Sequence, residues 1–531
     1  MDTRTIIAVI LSIAVLYGYS LIVPQKPSSP LAQKQISSLS TQSVSQPPQS
    51  SPQPSAAPPP PLAPPSVDRD VIVDTDHYRA VFSTRGGGLR SFSLKGYKQG
   101  PEKGSPPVLL YQSSSPEDVT LGTESAPLGL SSSTFFSPST TNLTLAGTQS
   151  ATLEFTATLP GGFTVVKQYT FTGNRFPITI SHRLSNHSPA PVTVPLTISL
   201  GYRPLSAEKG DSRYEIQEAA LFTGGSTIHL PQKDLQKEGK RYQSPVWVGF
   251  GDKYFLSALL SDPTPSLRSV ELSARDSFMQ SRLLLAESTL PPSTTLTHTA
   301  TLYLGPKDID ILKSVGSRLE DSVDLGWFAV IAKPFLLTLK FLHRYVGNYG
   351  LAIIIITIVL KILFYPLTYK SYKSMKEMQK LQPLMEKIKE KYKNDRNAMN
   401  QEIMKLYQEH RVNPLGGCLP MVVQIPVFFA LYKALMFSIE LRHAPFYLWI
   451  TDLSSKDPYY ITPIIMGATM FIQQKMTPTS MDPTQAKIML MLPVIFTFMF
   501  LNFPSGLVIY WLVNNILSIA QQYYINRTVS V

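Results

Sequence analysis

Apolar residues follow two different patterns along this chain. An apolar stretch at 5–23 precedes a segment of alternating apolar and polar residues at 68–315, and long apolar runs dominate from about 325 onwards. Alternation with period two is typical of half-buried β-strands, whereas runs of about 20 apolar residues can span the hydrocarbon core of a bilayer. The pattern predicts a polytopic α-helical membrane protein with an inserted all-β domain.

The alternating segment, 68–315, predicts a β-sandwich. Thr, Val, Phe and Tyr alternate with period two at 151–159 and 163–171, and Pro-Gly and Thr-Gly pairs separate the runs. Many short strands punctuated by turns are typical of this fold. The histidines of the segment are scattered, so we expect neither a metal site nor a catalytic site in it.

Two segments precede the alternating region. Residues 1–24 contain the first apolar stretch, and no small-residue cleavage site follows it, which predicts an uncleaved signal anchor. A cleaved signal peptide is the alternative. Residues 25–67 are rich in Pro, Ser and Gln and lack the apolar content for a core, so we predict a disordered linker.

The apolar C-terminal part predicts a five-helix core at 347–526. The five spans are predicted at about 349–367, 418–438, 459–475, 486–503 and 505–525. With the N-terminal anchor, the chain would have six spans. The mixed apolar and basic segment at 318–346 predicts an amphipathic helix lying in the membrane interface, and a further span is the alternative.

The distribution of positive charge orients these helices. The loop at 370–411 carries eleven Lys and Arg residues, whereas the loop at 439–458 carries only Arg442 and Lys456. Cytoplasmic loops hold the excess of basic residues, so we expect 370–411 in the cytoplasm. One span separates this loop from the β-domain, which places the β-domain outside and both termini inside. This position of the charge argues against a nucleic-acid-binding role for the net charge of +12.

The basic loop itself predicts a helical hairpin, because apolar residues recur in it at helical spacing on both sides of Asn394-Asp395. Its apolar residues either pack against each other or offer flexible methionines to apolar clients. Its basic face would suit anionic headgroups or ribosomal RNA. The candidates for contact with clients or the ribosome are Met378, Met385, Lys389 and Met399.

One charge interrupts the first span of the predicted core. Lys361 lies within the apolar run from Tyr349 to Tyr365, where a central charge costs ~2.5–3.5 kcal/mol. Thr357 lies one turn earlier on the same helix face. Polar or aromatic residues of other spans could complete a wet cavity: Gln424, Tyr510, Trp511, Asn514 and Ser518. The alternatives are that Lys361 extends to the interface and that Gln424 makes a hydrogen bond between helices.

The residues present disfavour cation-coupled transport and a disulfide-stabilised fold. The predicted spans contain no Asp or Glu, and cation-coupled transporters usually hold such acids inside the bundle. The single cysteine, Cys418, excludes a disulfide framework within one chain. A small-solute or anion transporter that uses Lys361, and a structural assembly factor that docks through its β-domain, stay open as alternatives to a chaperone-like role.

Six short segments together resemble the YidC-type membrane protein insertases of Gram-negative bacteria. The segments are Tyr365-Pro366-Leu367-Thr368, Lys380-Leu381-Gln382-Pro383, Val412-Asn413-Pro414-Leu415-Gly416-Gly417-Cys418, Gln424-Ile425-Pro426, Asp457-Pro458-Tyr459-Tyr460-Ile461 and Phe503-Pro504-Ser505-Gly506-Leu507. The resemblance is specific over about 320–526, and the anchor, linker and β-domain match the family's layout.

The resemblance implies a membrane protein insertase and chaperone of the inner membrane, with a periplasmic β-domain and no catalysed reaction or cofactor. Its groove would be hydrophilic, open to cytoplasm and lipid, and positively charged at Lys361, where relatives usually carry Arg. Thr357 aligns with a groove threonine, and Trp511 with a position that is often aromatic. The implied partners of a monomeric protein are nascent membrane proteins, the Sec translocon, the ribosome and anionic lipids.

Overall fold

The computed structural model describes residues 67–114, 120–203, 217–261, 267–276, 278–410, 412, 419–477 and 483–528. The predicted signal anchor at 1–24 lies outside these ranges. So does the predicted linker at 25–67, apart from Val67.

The β-domain is built from short strands that follow the period-two pattern. The described strands are β1 Asp70–Asp74, β2 Tyr78–Ser83, β3 Leu89–Lys98, β4 Pro107–Gln112, β5 Thr123–Glu124, β6 Ser137–Pro138, β7 Asn142–Thr144, β8 Ser150–Leu159, β9 Phe163–Thr172, β10 Ile178–Asn186, β11 Val192–Val194, β12 Thr197–Tyr202, β13 Glu218–Thr223, β14 Ser226–Pro231, β15 Lys240–Gln243, β16 Trp247–Gly251, β17 Phe255–Ser261, β18 Leu267–Arg275, β19 Phe278–Leu285, β20 Ser288–Leu290 and β21 Thr295–Pro306.

These strands form mainly antiparallel sheets around one apolar core, which confirms the predicted β-sandwich. The largest sheet has nine strands in the order β14-β13-β16-β17-β21-β10-β9-β8-β6, and two five-stranded sheets have the orders β4-β3-β2-β1-β7 and β15-β18-β19-β12-β5. A two-stranded sheet joins β11 and β20. Every second residue of β9 is buried, beginning at Phe163, because alternate side chains of a strand point to opposite faces.

Helices dominate the C-terminal part. The described helices are α1 Gln232–Lys237, α2 Ile309–Val315, α3 Ala329–Val346, α4 Tyr349–Lys380, α5 Gln382–Lys391, α6 Arg396–Glu409, α7 Leu419–Phe437, α8 Ile461–Met476, α9 Pro483–Phe500 and α10 Ser505–Thr528.

Helix α3 is shorter than the amphipathic helix predicted at 318–346. Two 3₁₀ turns, Leu319–Ser322 and Gly326–Phe328, precede it, and the α-helix begins only at Ala329. Gly326 has φ +60, a left-handed conformation that an α-helix does not contain. Pro334 lies within the first two turns and does not end the helix.

Helix α4 is longer than the span predicted at 349–367. It continues without a break to Lys380, for 32 residues, so the hairpin predicted at 370–411 consists of α5 and α6 alone. Asp395 accepts hydrogen bonds from the backbone of Asn397 and Ala398, both at 3.0 Å, and thereby caps α6. Among the described residues, α4 is the one helix that is long and apolar enough to cross a membrane by length and composition.

The apolar interior consists of three clusters. The first runs from the β-domain without interruption into α3 and α7, where Leu336, Ala430, Ala434 and Phe437 belong to it. The second joins α4, α7, α8 and α10. The third lies within the α5–α6 hairpin. Helix α7 therefore contributes to the interior of both the β-domain and the helical bundle.

Candidate functional site

A polar pocket lies between α4, α7 and α10. It encloses about 460 Å³ of space, part of which is open to the outside. Apolar side chains of α4 and α7 form much of its wall. Its polar lining residues are Thr357, Lys361, Thr368, Gln424, Tyr510 and Asn514. Five of the seven predicted groove residues are thus in this lining, and Ser518 contacts Lys361 directly behind it.

Lys361 points from α4 towards α10. Its Nζ donates a hydrogen bond of 2.6 Å to Ser518 Oγ, and Ser518 Oγ in turn donates one of 2.8 Å to the carbonyl oxygen of Asn514. The next two residues, Ile362 and Leu363, are exposed on the outer face of α4. No carboxylate of the described residues lies within 4.0 Å of Nζ. The pocket therefore presents an ammonium group whose positive charge is not neutralised by an ion pair.

The other polar side chains of the pocket are held by local hydrogen bonds. Thr357 is buried, and its Oγ1 donates to the carbonyl oxygen of Ile353 at 2.7 Å, one turn earlier in α4. Gln424 Nε2 donates to Asn514 Oδ1 at 3.1 Å, which links α7 to α10. This is the helix–helix hydrogen bond considered from the sequence, and both side chains also line the pocket.

Adjacent residues of α10 point to different places. Tyr510 lines the pocket, whereas Trp511 lies outside it in an aromatic cluster with Phe428, Phe496 and Phe500. The Trp511 and Phe428 ring centroids are 4.7 Å apart. Consecutive helical residues differ by about 100° in direction, which lets Tyr510 and Trp511 meet different neighbours. Trp511 is not among the residues that line this pocket, and its contact with clients stays a prediction.

Hydrogen bonds close the bundle at the end nearest the β-domain. Asp457 is buried and accepts from the backbone of Thr462 at 2.7 Å, from its hydroxyl at 2.6 Å and from the backbone of Tyr459 at 3.0 Å. Burial alone would raise the pKa of Asp457, but these hydrogen bonds lower it below its usual value. The turn before α10 is fixed to the same loop, because the Ser505 backbone donates to the Ser455 carbonyl at 2.7 Å.

The hairpin buries most of the apolar residues that were predicted to meet clients. Met385 is only 6% exposed, Met378 packs against the same cluster, and Tyr407 donates to Met385 Sδ at 3.4 Å. Lys389 and Met399 are half-buried. The exposed apolar side chains are instead Leu384 and Met404. Of the two alternatives considered from the sequence, the structure shows these apolar residues packing against each other.

A second buried lysine escaped the sequence analysis. Lys167 of β9 lies in the core of the β-domain, where its Nζ donates to the carbonyl oxygens of Gly86 at 2.7 Å and Leu121 at 3.1 Å. Burial lowers the pKa of Lys167 to about 7. His182 of β10 is its cross-strand neighbour and pairs in turn with His298 of β21. The sequence did carry a signal for this burial, because Lys167 occupies one of the buried positions in the alternating pattern of β9.

Charged side chains join the β-domain to the helical part. Lys340 of α3 contacts Asp308 at 3.1 Å, Asp310 at 2.8 Å and Glu440 at 2.7 Å. Arg442 donates to the carbonyl oxygens of Lys98 at 2.6 Å and Gln99 at 3.1 Å, in the β-domain. Lys433 of α7 pairs with Asp324 at 3.0 Å.

Two family models match the chain. The model described as 60Kd inner membrane protein matches residues 341–530, and the model described as YidC periplasmic domain matches residues 70–338. Together they cover the β-domain and the helical bundle that carries the pocket.

Relatives match over the full length. A protein named "Membrane protein insertase YidC" from Geotalea daltonii is 50% identical to this chain, and the match covers 99% of this chain and 99% of the relative. A protein of the same name from Geobacter sulfurreducens is also 50% identical, and the match covers 100% of this chain and 99% of the relative. This name describes a non-enzymatic role, as predicted.

A solved YidC insertase with its first transmembrane domain is 18% identical over 87% of this chain and 94% of its own, with a TM-score of 0.38. Because that score is low, the assignment rests on the family models and the full-length relatives. The resemblance noted in the sequence is confirmed: the chain belongs to the YidC family of membrane protein insertases.

Proposed function

We propose that this protein inserts nascent membrane proteins into the inner membrane and acts as their chaperone, alone or beside the Sec translocon. The observation that carries the proposal is the Lys361 ammonium, which lines an open polar pocket and has a hydroxyl rather than a carboxylate as its partner. An acidic flank of a client supplies the missing negative charge.

The magnitude of this attraction suits a transient complex. Two unit charges 4 Å apart attract by about 4 kcal/mol at an effective dielectric constant of 20. A client carboxylate must also lose part of its hydration, so the net attraction is smaller. The free energy of insertion comes from the client helix, which gains ~25 cal/mol per Å² of apolar surface on leaving water. The pocket lowers the barrier for moving the polar flank.

The proposed topology has six spans, with both termini in the cytoplasm and the β-domain in the periplasm. At 1.5 Å per residue, the 32 residues of α4 extend about 48 Å, which exceeds a hydrocarbon core of about 30 Å. Its last part, with the basic α5–α6 hairpin, would extend into the cytoplasm. Helices α7, α8, α9 and α10 and the N-terminal segment supply the other five spans.

The hairpin is the proposed contact for clients, the ribosome and anionic lipids. Met378 and Met385 pack in the apolar interior of the hairpin, whereas Leu384 and Met404 provide exposed apolar surface. Lys389 and the other lysines of α5 supply positive charge beside that surface. A polybasic face of this kind attracts anionic headgroups by ~1 kcal/mol per residue near the surface.

The test replaces Lys361 with Arg, Ala and Glu and scores insertion of a single-span client with an acidic translocated tail. We expect Arg to retain most activity, Ala to reduce it and Glu to reduce it furthest. A matched client whose tail carries Gln in place of the acids is the control, and its insertion should depend little on residue 361. Equal activity of the Glu variant on the acidic client would refute the electrostatic role.

A further inference from the structure

A second cavity lies where the β-domain meets the helical part. It comprises about 430 Å³ of space between the end of the β-domain, α3 and the segment after α7, part of which is open to solvent. Its wall combines side chains of both charges with apolar ones, among them Asp310, Lys313, Lys333, Leu337, Lys340 and Glu440. No step of the proposed insertion uses this cavity.

The lysines of this cavity differ in how strongly they are bound. Lys340 is enclosed by three carboxylates at 2.7–3.1 Å, so it belongs to the floor of the cavity. Lys333 contacts one carboxylate, Asp321, at 3.3 Å, and its side chain is 39% exposed. Lys313 makes no ion pair within 4.0 Å among the described residues. Lys313 and Lys333 are therefore the two ammonium groups that can turn to a ligand.

The cavity opens beside an apolar stripe of α3. Val330, Leu337, Phe341 and Tyr345 recur seven, four and four residues apart and are exposed, as is Trp327 just before the helix. Residues with this spacing share one face of a helix. Leu337 belongs both to the stripe and to the wall of the cavity. A stripe of this kind buries ~5–10 Å into the boundary between headgroups and acyl chains, which places the mouth of the cavity among headgroups.

We propose that this cavity binds the headgroup of a membrane phospholipid that carries both a phosphate and an ammonium group. Lys313 and Lys333 contact the phosphate, the exposed carboxylate of Asp310 attracts the ammonium with the oxygen that does not contact Lys340, and Leu337 contacts the start of the acyl chains. The exposed carboxylate of Asp310 favours this headgroup over one with negative charge alone. The inference goes beyond the proposed function, because the site lies apart from Lys361 and holds a lipid rather than a client.

The experiment measures lipid retention by the purified full-length chain. The protein is equilibrated in mixed micelles that contain equal amounts of phosphatidylethanolamine and phosphatidylglycerol, and the bound lipids are counted by native mass spectrometry. We expect phosphatidylethanolamine to be retained preferentially. The double substitution Lys313→Gln and Lys333→Gln should lower its retention about fivefold, as expected for the loss of two charged contacts.

The matched control substitutes two exposed lysines of the β-domain far from the cavity in sequence, Lys103→Gln and Lys237→Gln. It changes the net charge equally and should leave retention unchanged. Addition of inorganic phosphate tests the other source of the same chemistry and should not displace the lipid. Unchanged retention in the first variant, preference for phosphatidylglycerol, or displacement by inorganic phosphate would each overturn the proposal.

Discussion

Two lysines in different parts of the molecule face the same physical problem. Lys167 lies in the β-sandwich and Lys361 in the helical bundle, and within the described residues neither has a carboxylate within 4.0 Å. Lys167 is fully buried, bonds two carbonyl oxygens and lies 5.2 Å from the Phe136 ring centroid. Lys361 has one hydroxyl partner and lines an open pocket.

The comparison separates a structural lysine from one available to a ligand. Two carbonyl oxygens accept hydrogen bonds from Lys167 and hold it in place, and its side chain is fully buried. Lys361 keeps donors free towards the pocket, because Ser518 accepts only one hydrogen bond from it. An unusual charge in an apolar environment is therefore not sufficient evidence of function, and access to it is the deciding property.

The largest expected contrast is in stability. Lys167→Ala leaves a cavity and two carbonyl oxygens without donors, so it should lower the free energy of unfolding of the β-domain by about 3–5 kcal/mol. Lys361→Ala should change the stability of the bundle by less than about 1 kcal/mol, since water can fill the pocket. Denaturant unfolding of the full-length protein in detergent, followed by limited proteolysis of each region, measures both.

A volume-matched control separates packing from hydrogen bonding in the β-domain. Lys167→Met preserves most of the side chain and removes only the ammonium group. It should therefore lower the free energy of unfolding of the β-domain by about 1–3 kcal/mol. If Lys361→Ala destabilised the protein more than Lys167→Ala, the assignment of structural and accessible roles would be reversed.

The second prediction concerns pH. Burial lowers the pKa of Lys167 to about 7, and burial with the charges of Lys167 and His298 lowers the pKa of His182 well below 6.5. Burial also lowers the pKa of His298. In each case the unfolded chain binds the proton first as pH falls. The β-domain should therefore lose stability from about pH 10 to 7 through Lys167, and again below about 6.5 through the histidines.

Thermal unfolding of the β-domain between about pH 10 and 5 checks this prediction. Each group can contribute at most about 1.4 kcal/mol per pH unit within its own window. His182→Gln should make the slope below pH 6.5 shallower and leave the slope above pH 7 unchanged. An unfolding temperature that rises as pH falls would contradict the proposed protonation states.

The sequence predicted the elements better than their contacts. Alternation and apolar runs predicted the sandwich and the core helices, because burial on one face leaves a periodic trace. The same alternation placed Lys167 in one row with Val165 and Tyr169, and this signal was overlooked. The direction of Trp511 had no such trace, since it depends on aromatic partners in α7 and α9.

Contacts between residues far apart in the sequence could not be predicted either. The junction of Lys340 with Glu440 spans 100 residues, and each side chain alone is an ordinary charged residue in or beside an apolar segment. The pocket was easier to predict, because Thr357 and Lys361 are one helical turn apart and the α10 residues share a similar spacing.

The third prediction tests the junction between the two regions. Arg442→Ala removes two hydrogen bonds to β-domain carbonyls and a contact 5.4 Å from the Phe255 ring centroid. We expect local opening of the β3–β4 loop to become easier by about 1 kcal/mol, which is roughly fivefold faster hydrogen exchange there. Arg268→Ala, at an exposed pair with Glu287, is the matched control and should change little. Unchanged exchange at Lys98 and Gln99 would show that Arg442 does not hold the junction.

The smallest expected effect belongs to Ser518, which accepts a hydrogen bond from Lys361. Ser518→Ala removes the 2.6 Å hydrogen bond to Nζ, but the pocket is open and a water molecule can take the place of the hydroxyl. We expect insertion of an acidic-tail client to change less than about threefold, since a water-mediated bond is nearly as favourable as a direct one. Thr357→Ala is the control for loss of a pocket hydroxyl that does not contact Lys361. A loss as large as that of Lys361→Ala would mean that Ser518 fixes the ammonium rigidly, as the carbonyl oxygens fix Lys167, and the contrast between the two lysines would then be one of degree.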